Sequence, residues 1–213
     1  MNTPGAEKDA PRGRLFVIAA PSGAGKTSLV KALLERRPQL RLSVSHTTRK
    51  PRPTEEEGRE YFFVTVDKFR ELAHEKQFLE HAQVFDNHYG TGRAPVETAL
   101  ASGRSVILEI DWQGARQVRA SLPECVTIFI LPPARAALEN RLRDRKTESD
   151  AAIARRLADA VGDMSHGSEF DYIVVNDDFE RALVDLTRIV DGKGELLRAN
   201  RPALALLLSE LLA

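Results

Sequence analysis

The stretch Ala20-Pro21-Ser22-Gly23-Ala24-Gly25-Lys26-Thr27 comes within one residue of G-x-x-x-x-G-K-[ST]. That pattern marks a loop whose backbone N–H groups cradle nucleotide phosphates. Gly25, Lys26 and Thr27 fit it, and Ala20 stands where it has its first glycine. Gly23 and Gly25 carry no Cβ, so their backbone can come close to phosphate oxygens and take a positive φ. Lys26 offers a point charge to the β- and γ-phosphates, and Thr27 offers a hydroxyl suited to Mg²⁺. Ser22, Gly23, Ala24, Gly25, Lys26, Thr27 and Ser28 are therefore the candidate cradle for ATP. Ala20 is acceptable at negative φ, where its methyl group creates no clash. The alternative is a Gly/Ser turn beside an unrelated lysine.

The surroundings favour the cradle. Leu15 to Ala20 is a short apolar run of the kind that forms a buried parallel strand. After the loop, Leu29 and Leu33 share one helical face, and Pro38 should stop the helix. The positive end of that helix points at the loop. Further apolar runs at Ser105–Ile110, Val126–Leu131 and Tyr172–Val175, with helical patterns between them, predict a parallel α/β sheet. Residues 42 to 97 read as a small, mostly β insert. Residues 138 to 165 are charged and helical, with Ile153, Leu157 and Val161 on one apolar face. The C-terminal Leu-rich segment reads as a helix docked on the core, with an oligomer contact as the alternative.

The strand Ser105–Ile110 runs into Glu109-Ile110-Asp111-Trp112-Gln113-Gly114. Acidic residues at the end of a core strand in a phosphate-loop protein read as metal-side carboxylates. Glu109 and Asp111 alternate, so they share a face. Asp111 to Gly114 also matches the D-x-x-G of GTP switch proteins, but no N-K-x-D guanine signature occurs in the chain.

A second phosphate site is suggested by Ser43-Val44-Ser45-His46-Thr47-Thr48-Arg49-Lys50-Pro51-Arg52-Pro53. Lys50 and Arg52 each precede a proline and are pushed toward extended conformations. The stiffened backbone can present the forks of Arg49 and Arg52 to a phosphate at low entropic cost. A solvated basic loop is the alternative.

These pieces occur together in one family. Ser45–Arg52, Gly58–Phe63, Phe78–Ala82, Tyr89–Thr91 and Glu109–Gly114 stand in the order found in guanylate kinases, and the resemblance runs from Leu15 to about Ile189. It implies an α/β fold: a parallel-sheet phosphate-loop kinase core, a small mostly-β monophosphate-binding insert and a helical lid. It implies that Arg49, Arg52, Tyr61 and Tyr89 hold the GMP phosphate, and that Ser45, Glu80, Thr91 and Asp111 surround the guanine. The chemistry agrees, since guanine presents N–H donors at N1 and N2 and a carboxylate only accepts. Adenine has an acceptor at N1 and would meet Glu80 lone pair to lone pair. The resemblance also implies that Arg141, Arg145 and Arg156 reach the phosphates from the lid, and that Asn176 touches the adenine. The catalytic group is then Lys26, Arg49, Arg145 and Arg156. The metal is Mg²⁺ with ATP, on Thr27, with Glu109 and Asp111 acting through water.

Two departures from the family pattern stand out. Asp144-Arg145-Lys146 replaces the usual Gly-Arg-Gly, so the usual lid hinge is missing, and Glu109 replaces an aspartate. No general base is evident and none is required, because the acceptor phosphate oxygen is already ionised at neutral pH. His46, His74, His81, His88 and His166 show no metal-ligand spacing.

Composition sets the outer limits. The chain has 213 residues, with 31 basic and 31 acidic side chains. One domain with inserted pieces is expected, and no bulk attraction to nucleic acid or to an anionic membrane. The single cysteine, Cys125, adjoins a strand pattern and reads as a buried thiol in a reducing cytoplasm. No apolar run approaches the ~18 residues that span a bilayer. Residues 1–13 read as a flexible tail and 14–213 as the domain, with a core of 14–41 and 98–213. The expected activity is transfer of the ATP γ-phosphate to GMP or dGMP. The alternatives are an inactive interaction module of the same fold and a kinase for another phosphorylated small molecule.

Overall fold

The computed structural model describes residues 12–84, 86–143 and 150–213. In chain order the elements are β1 (Leu15–Ala19), α1 (Lys26–Arg36), β2 (Arg41–Leu42), β3 (Ser45–Thr47), β4 (Tyr61–Phe63), α2 (Val66–His74), β5 (Phe78–Val84) and β6 (Asn87–Gly92). They continue with α3 (Arg93–Ala101), β7 (Val106–Glu109), α4 (Trp112–Ser121), β8 (Val126–Leu131), α5 (Arg135–Arg143), α6 (Asp150–Ser165), β9 (Tyr172–Val175), α7 (Phe179–Val190) and α8 (Ala203–Leu212).

β1 is apolar throughout and all five residues are buried, as befits a parallel strand covered on both faces. Its side chains alternate. Leu15, Val17 and Ala19 join Val106, Leu108, Phe129 and Leu131 in one core, where Leu138, Ile153 and Met164 of the following helices also pack. Phe16 and Ile18 join Ile107, Ile128 and Ile130 in the opposite core, against Leu29 and Leu33 of α1 and Leu183 and Leu186 of α7. The five-stranded sheet is parallel, in the order β2-β7-β1-β8-β9. β7 and β8 flank β1 on opposite sides, so successive crossovers leave it in opposite directions. A crevice opens at the carboxyl end of β1, where ligands bind in such sheets.

A second sheet has the order β4-β3-β6-β5. β3 pairs parallel with β4 and antiparallel with β6, and β6 runs antiparallel to β5. Its strands come from within the segment expected to be mostly β, which also contains a helix the sequence pattern hid. The alternation of Tyr61 to Val66 breaks off at Phe63 because the Thr65 hydroxyl accepts the Lys68 N–H at 3.2 Å and starts α2. β2 lies in the core sheet, not in the second sheet.

Gly13, expected in a loose tail, is seated on the core. Its N–H donates to the Leu100 carbonyl at 2.9 Å, and a Cβ there would sit 2.0 Å from the Arg104 carbonyl oxygen. α8 buries Leu204 and Leu211, in the core that also holds Met164 of α6. No helix among the described residues is long and apolar enough to cross a membrane.

Candidate active site

The loop from Ala20 to Gly25 follows β1 directly and delivers the chain to the N-terminus of α1. Gly23 has φ +88° and Gly25 φ +95°, values that L side chains adopt only with strain. Among the described residues Lys76 is the one non-glycine with positive φ, so Ala20 takes a negative φ and its methyl is accommodated. Gly25 is doubly constrained, since a Cβ there would meet the Asn176 amide nitrogen at 2.4 Å. That amide donates to the Ala24 carbonyl at 2.7 Å and is buried under the loop. Arg141 of α5 donates to the Asn176 carbonyl at 2.9 Å and reaches the Ala24 carbonyl at 3.4 Å. Both residues brace the loop in this structure.

Lys26 donates to the carbonyl of Ile110 at 2.9 Å, which ties the first residue of α1 to the end of β7. Loss of hydration pushes the Lys26 pKa down, while Glu109, Asp111, Asp163 and Glu80 pull it back up. Thr27 donates its hydroxyl to Glu109 Oε1 in a short contact. A hydroxyl and a carboxylate side by side, next to a phosphate cradle, are the hard oxygen donors that suit Mg²⁺ when phosphates complete the shell. No cluster of three or more His, Cys, Asp or Glu able to hold a metal by itself occurs among the described residues. Asp111 caps α4 by accepting the Gly114 N–H at 2.8 Å.

Two cavities meet at Lys26. One, of about 880 Å³, lies between the loop, the start of α4 and the α6 face carrying Arg155, Arg156 and Asp163. The other, of about 240 Å³, lies against the second sheet and is lined by Ser45, Tyr61, Glu80, Tyr89, Glu109 and Ile110. Lys26, Val84 and Asp111 line both. Glu80 is 4% exposed, and burial pushes its carboxyl up to about 7. Thr91, across the β5–β6 ladder, donates its hydroxyl to Glu80 Oε1 at 2.6 Å, and Ser45 Oγ lies 3.4 Å from Thr91 Oγ1.

Arg49 lies beside Tyr61, which lines the smaller cavity. Its guanidinium lies 5.4 Å from the Tyr61 ring centroid, and the Tyr61 and Tyr89 rings meet edge to face at 5.9 Å. Glu55 orders this corner. It accepts from Arg49 at 2.8 Å with one oxygen and from the Arg52 N–H at 2.8 Å with the other. The Arg52 side chain remains largely exposed. The sequence reading passed over Glu55, although an acid three residues beyond Arg52 is a signal for a closed turn.

On the far wall, Arg156 of α6 donates to Ser22 Oγ at 2.9 Å. Arg155 also lines the larger cavity. Arg143 pairs with Glu139 and Asp150 on the exposed face. Arg145, and with it Asp144 and Lys146, lies outside the described residues. The sequence reading also missed Asp163. It accepts the Trp112 indole N–H at 3.1 Å, and burial pushes its carboxyl up to about 6. His166 stacks on the same indole at 3.6 Å, so the end of α6 is fixed to the start of α4.

Residues 12–193 match the family model described as guanylate kinase. A guanylate kinase from Methylococcus capsulatus is 53% identical over 201 residues, 94% of this chain and 98% of that relative. One from Nitrosococcus oceani is 56% identical over 200 residues, again 94% and 98% of the two chains. The guanylate kinase of Escherichia coli K12 is 52% identical over 192 residues, 89% of this chain and 92% of that one. Among solved structures, the guanylate kinase of Anaplasma phagocytophilum superposes with a TM-score of 0.72 at 32% identity, covering 87% of this chain and 88% of that chain. A parallel sheet with a phosphate loop at its central strand, a second sheet beside it and identity sustained over nearly the whole length lead to one conclusion: the chain belongs to the guanylate kinase family.

Proposed function

We propose that this chain transfers the γ-phosphate of ATP to GMP, giving ADP and GDP, with dGMP as a second acceptor. The observation that carries the reading is the meeting of two cavities at Lys26, one built by a phosphate loop and one closed by a buried carboxylate. ATP occupies the larger, its phosphates on the loop from Ser22 to Ser28. GMP occupies the smaller, its guanine edge on Glu80, Ser45, Thr91 and Asp111 and its phosphate toward Arg49, Arg52, Tyr61 and Tyr89.

The chain's own groups have three tasks. Glu80 accepts from guanine N1–H and N2–H, a match adenine cannot offer. Lys26, Arg49, Arg156 and the lid's Arg145 neutralise two anionic nucleotides held in line, which is most of what phosphoryl transfer requires. α5 and α6 close over the phosphates to exclude water and suppress ATP hydrolysis. Thr27, with Glu109 and Asp111 through water, would hold Mg²⁺, which would neutralise charge on the ATP phosphates. In this reading residues 14–41 and 98–213 form the core, 42–97 the acceptor insert and 138–165 the lid. The enzyme draws on the cytoplasmic nucleotide pool.

Incubation with Mg-ATP and GMP, followed by chromatographic separation, tests the reaction. ADP and GDP should appear in equal amounts. ATP consumed without GDP, or no turnover by folded protein, would sink the proposal.

A further inference from the structure

Glu80 has one oxygen on Thr91 and the other against Gly114. A Cβ built on Gly114 would lie 2.7 Å from Glu80 Oε2, 3.2 Å from its Cδ and 3.1 Å from Ile110 Cδ1. The backbone does not demand glycine here. Gly114 is the third residue of α4 and is not among the glycines with positive φ. Glycine inside a helix is less favourable than alanine, so the position gives up helix stability. What it gains is room for the carboxylate.

Nor can the helix yield. Glu80 is held by Thr91 at 2.6 Å and is 4% exposed. One turn beyond Gly114, Gln117 accepts the His81 N–H at 3.1 Å and donates to the His81 carbonyl at 2.9 Å. These two bonds fix α4 to β5 beside Glu80, so the helix cannot back away from a new methyl group. The carboxylate would have to move.

We propose that Gly114 is a specificity-determining residue for the acceptor: lacking a Cβ, it sets the depth at which Glu80 meets the guanine edge. The inference rests on the assignment of Glu80 to guanine. It gives the Asp111–Gly114 motif a purpose other than the one it has in GTP switch proteins. The N–H of Gly114 caps through Asp111 while its bare Cα makes space for Glu80, so one residue positions two carboxylates of the acceptor site.

The test is Gly114→Ala, assayed with GMP and with IMP, which keeps N1–H but lacks the 2-amino group. The kcat/KM for GMP should fall about tenfold or more, the scale of one weakened charge-assisted hydrogen bond. IMP should lose less, so the GMP-to-IMP preference shrinks. KM for ATP should hold. Adding Glu80→Asp, one methylene shorter, should recover GMP activity relative to Gly114→Ala alone. An unchanged GMP-to-IMP ratio in Gly114→Ala, or no recovery in the double variant, overturns the role of Gly114. Glu80→Gln distinguishes the failures: if it leaves GMP kinetics unchanged, the assignment of Glu80 itself is wrong.

Discussion

Thr91 donates its hydroxyl to Glu80 across adjacent strands at 2.6 Å, and this bond opposes but does not cancel the effect of burial on the carboxyl. Glu80 stays protonated up to about pH 7 in the free protein, and in the proposed binding mode guanine must displace that proton. GMP affinity is therefore expected to weaken as pH falls below 7, by up to about tenfold per pH unit. Calorimetric Kd values across this range check it, with Glu80→Gln retaining only the titration of the nucleotide phosphate. Identical profiles in the two proteins would contradict the assignment. The stability consequence has the opposite sense to that of a salt-bridged acid. The folded pKa lies above the unfolded value, so the folded state binds the extra proton and stability declines as pH rises from about 4.5 to about 7. The change is on the order of 3 kcal/mol, read as the difference between wild type and Glu80→Gln in denaturant titrations.

Glu55 orders Arg49, and with Arg49 on the acceptor phosphate, as proposed, it competes with that phosphate. Glu55→Ala should loosen the turn at Arg49 and Arg52 and raise KM for GMP about tenfold, with KM for ATP unchanged. Glu55→Gln removes the competing charge but keeps only one accepting oxygen, so with that oxygen on Arg49 its amide NH2 faces the Arg52 N–H, and its KM for GMP should rise less than that of Glu55→Ala. If the two variants behave alike, the hydrogen bond from Arg49 to residue 55 has no part in acceptor binding.

Asn176 distinguishes a brace from a base contact. Asn176→Ala leaves the Ala24 carbonyl with only the longer Arg141 contact. It should lower stability by about 1–3 kcal/mol and kcat/KM for ATP about tenfold or more. Asn176→Asp should do no better, because it sets oxygen against oxygen. Unchanged Tm with an altered preference among nucleotide donors would favour the adenine contact instead.

Much of this was legible along the chain, for a physical reason. β1, β8 and β9 are buried on both faces, so their runs of Leu, Ile, Val and Phe announce them without reference to partners. The phosphate loop is likewise local, since its glycines and Lys26 lie within a few residues. α2 was hidden because Thr65 ends an alternating pattern by capping, a local choice that hydrophobic periodicity does not register. Trp112 and Asp163 are 51 positions apart, and Gly114 and Glu80 meet only because α4 packs on β5. Such contacts follow from tertiary packing, and no spacing along the sequence encodes them.

The central claim is that the smaller cavity reads guanine and the larger one supplies phosphate. Initial rates of ADP release from Mg-ATP with GMP, dGMP, AMP, CMP and UMP as acceptors test it most directly. Turnover with GMP and dGMP is expected to exceed that with AMP, CMP and UMP by at least about a hundredfold, the scale seen when buried polar groups are left unpaired. Comparable rates with AMP, or ADP release indifferent to GMP, would contradict it.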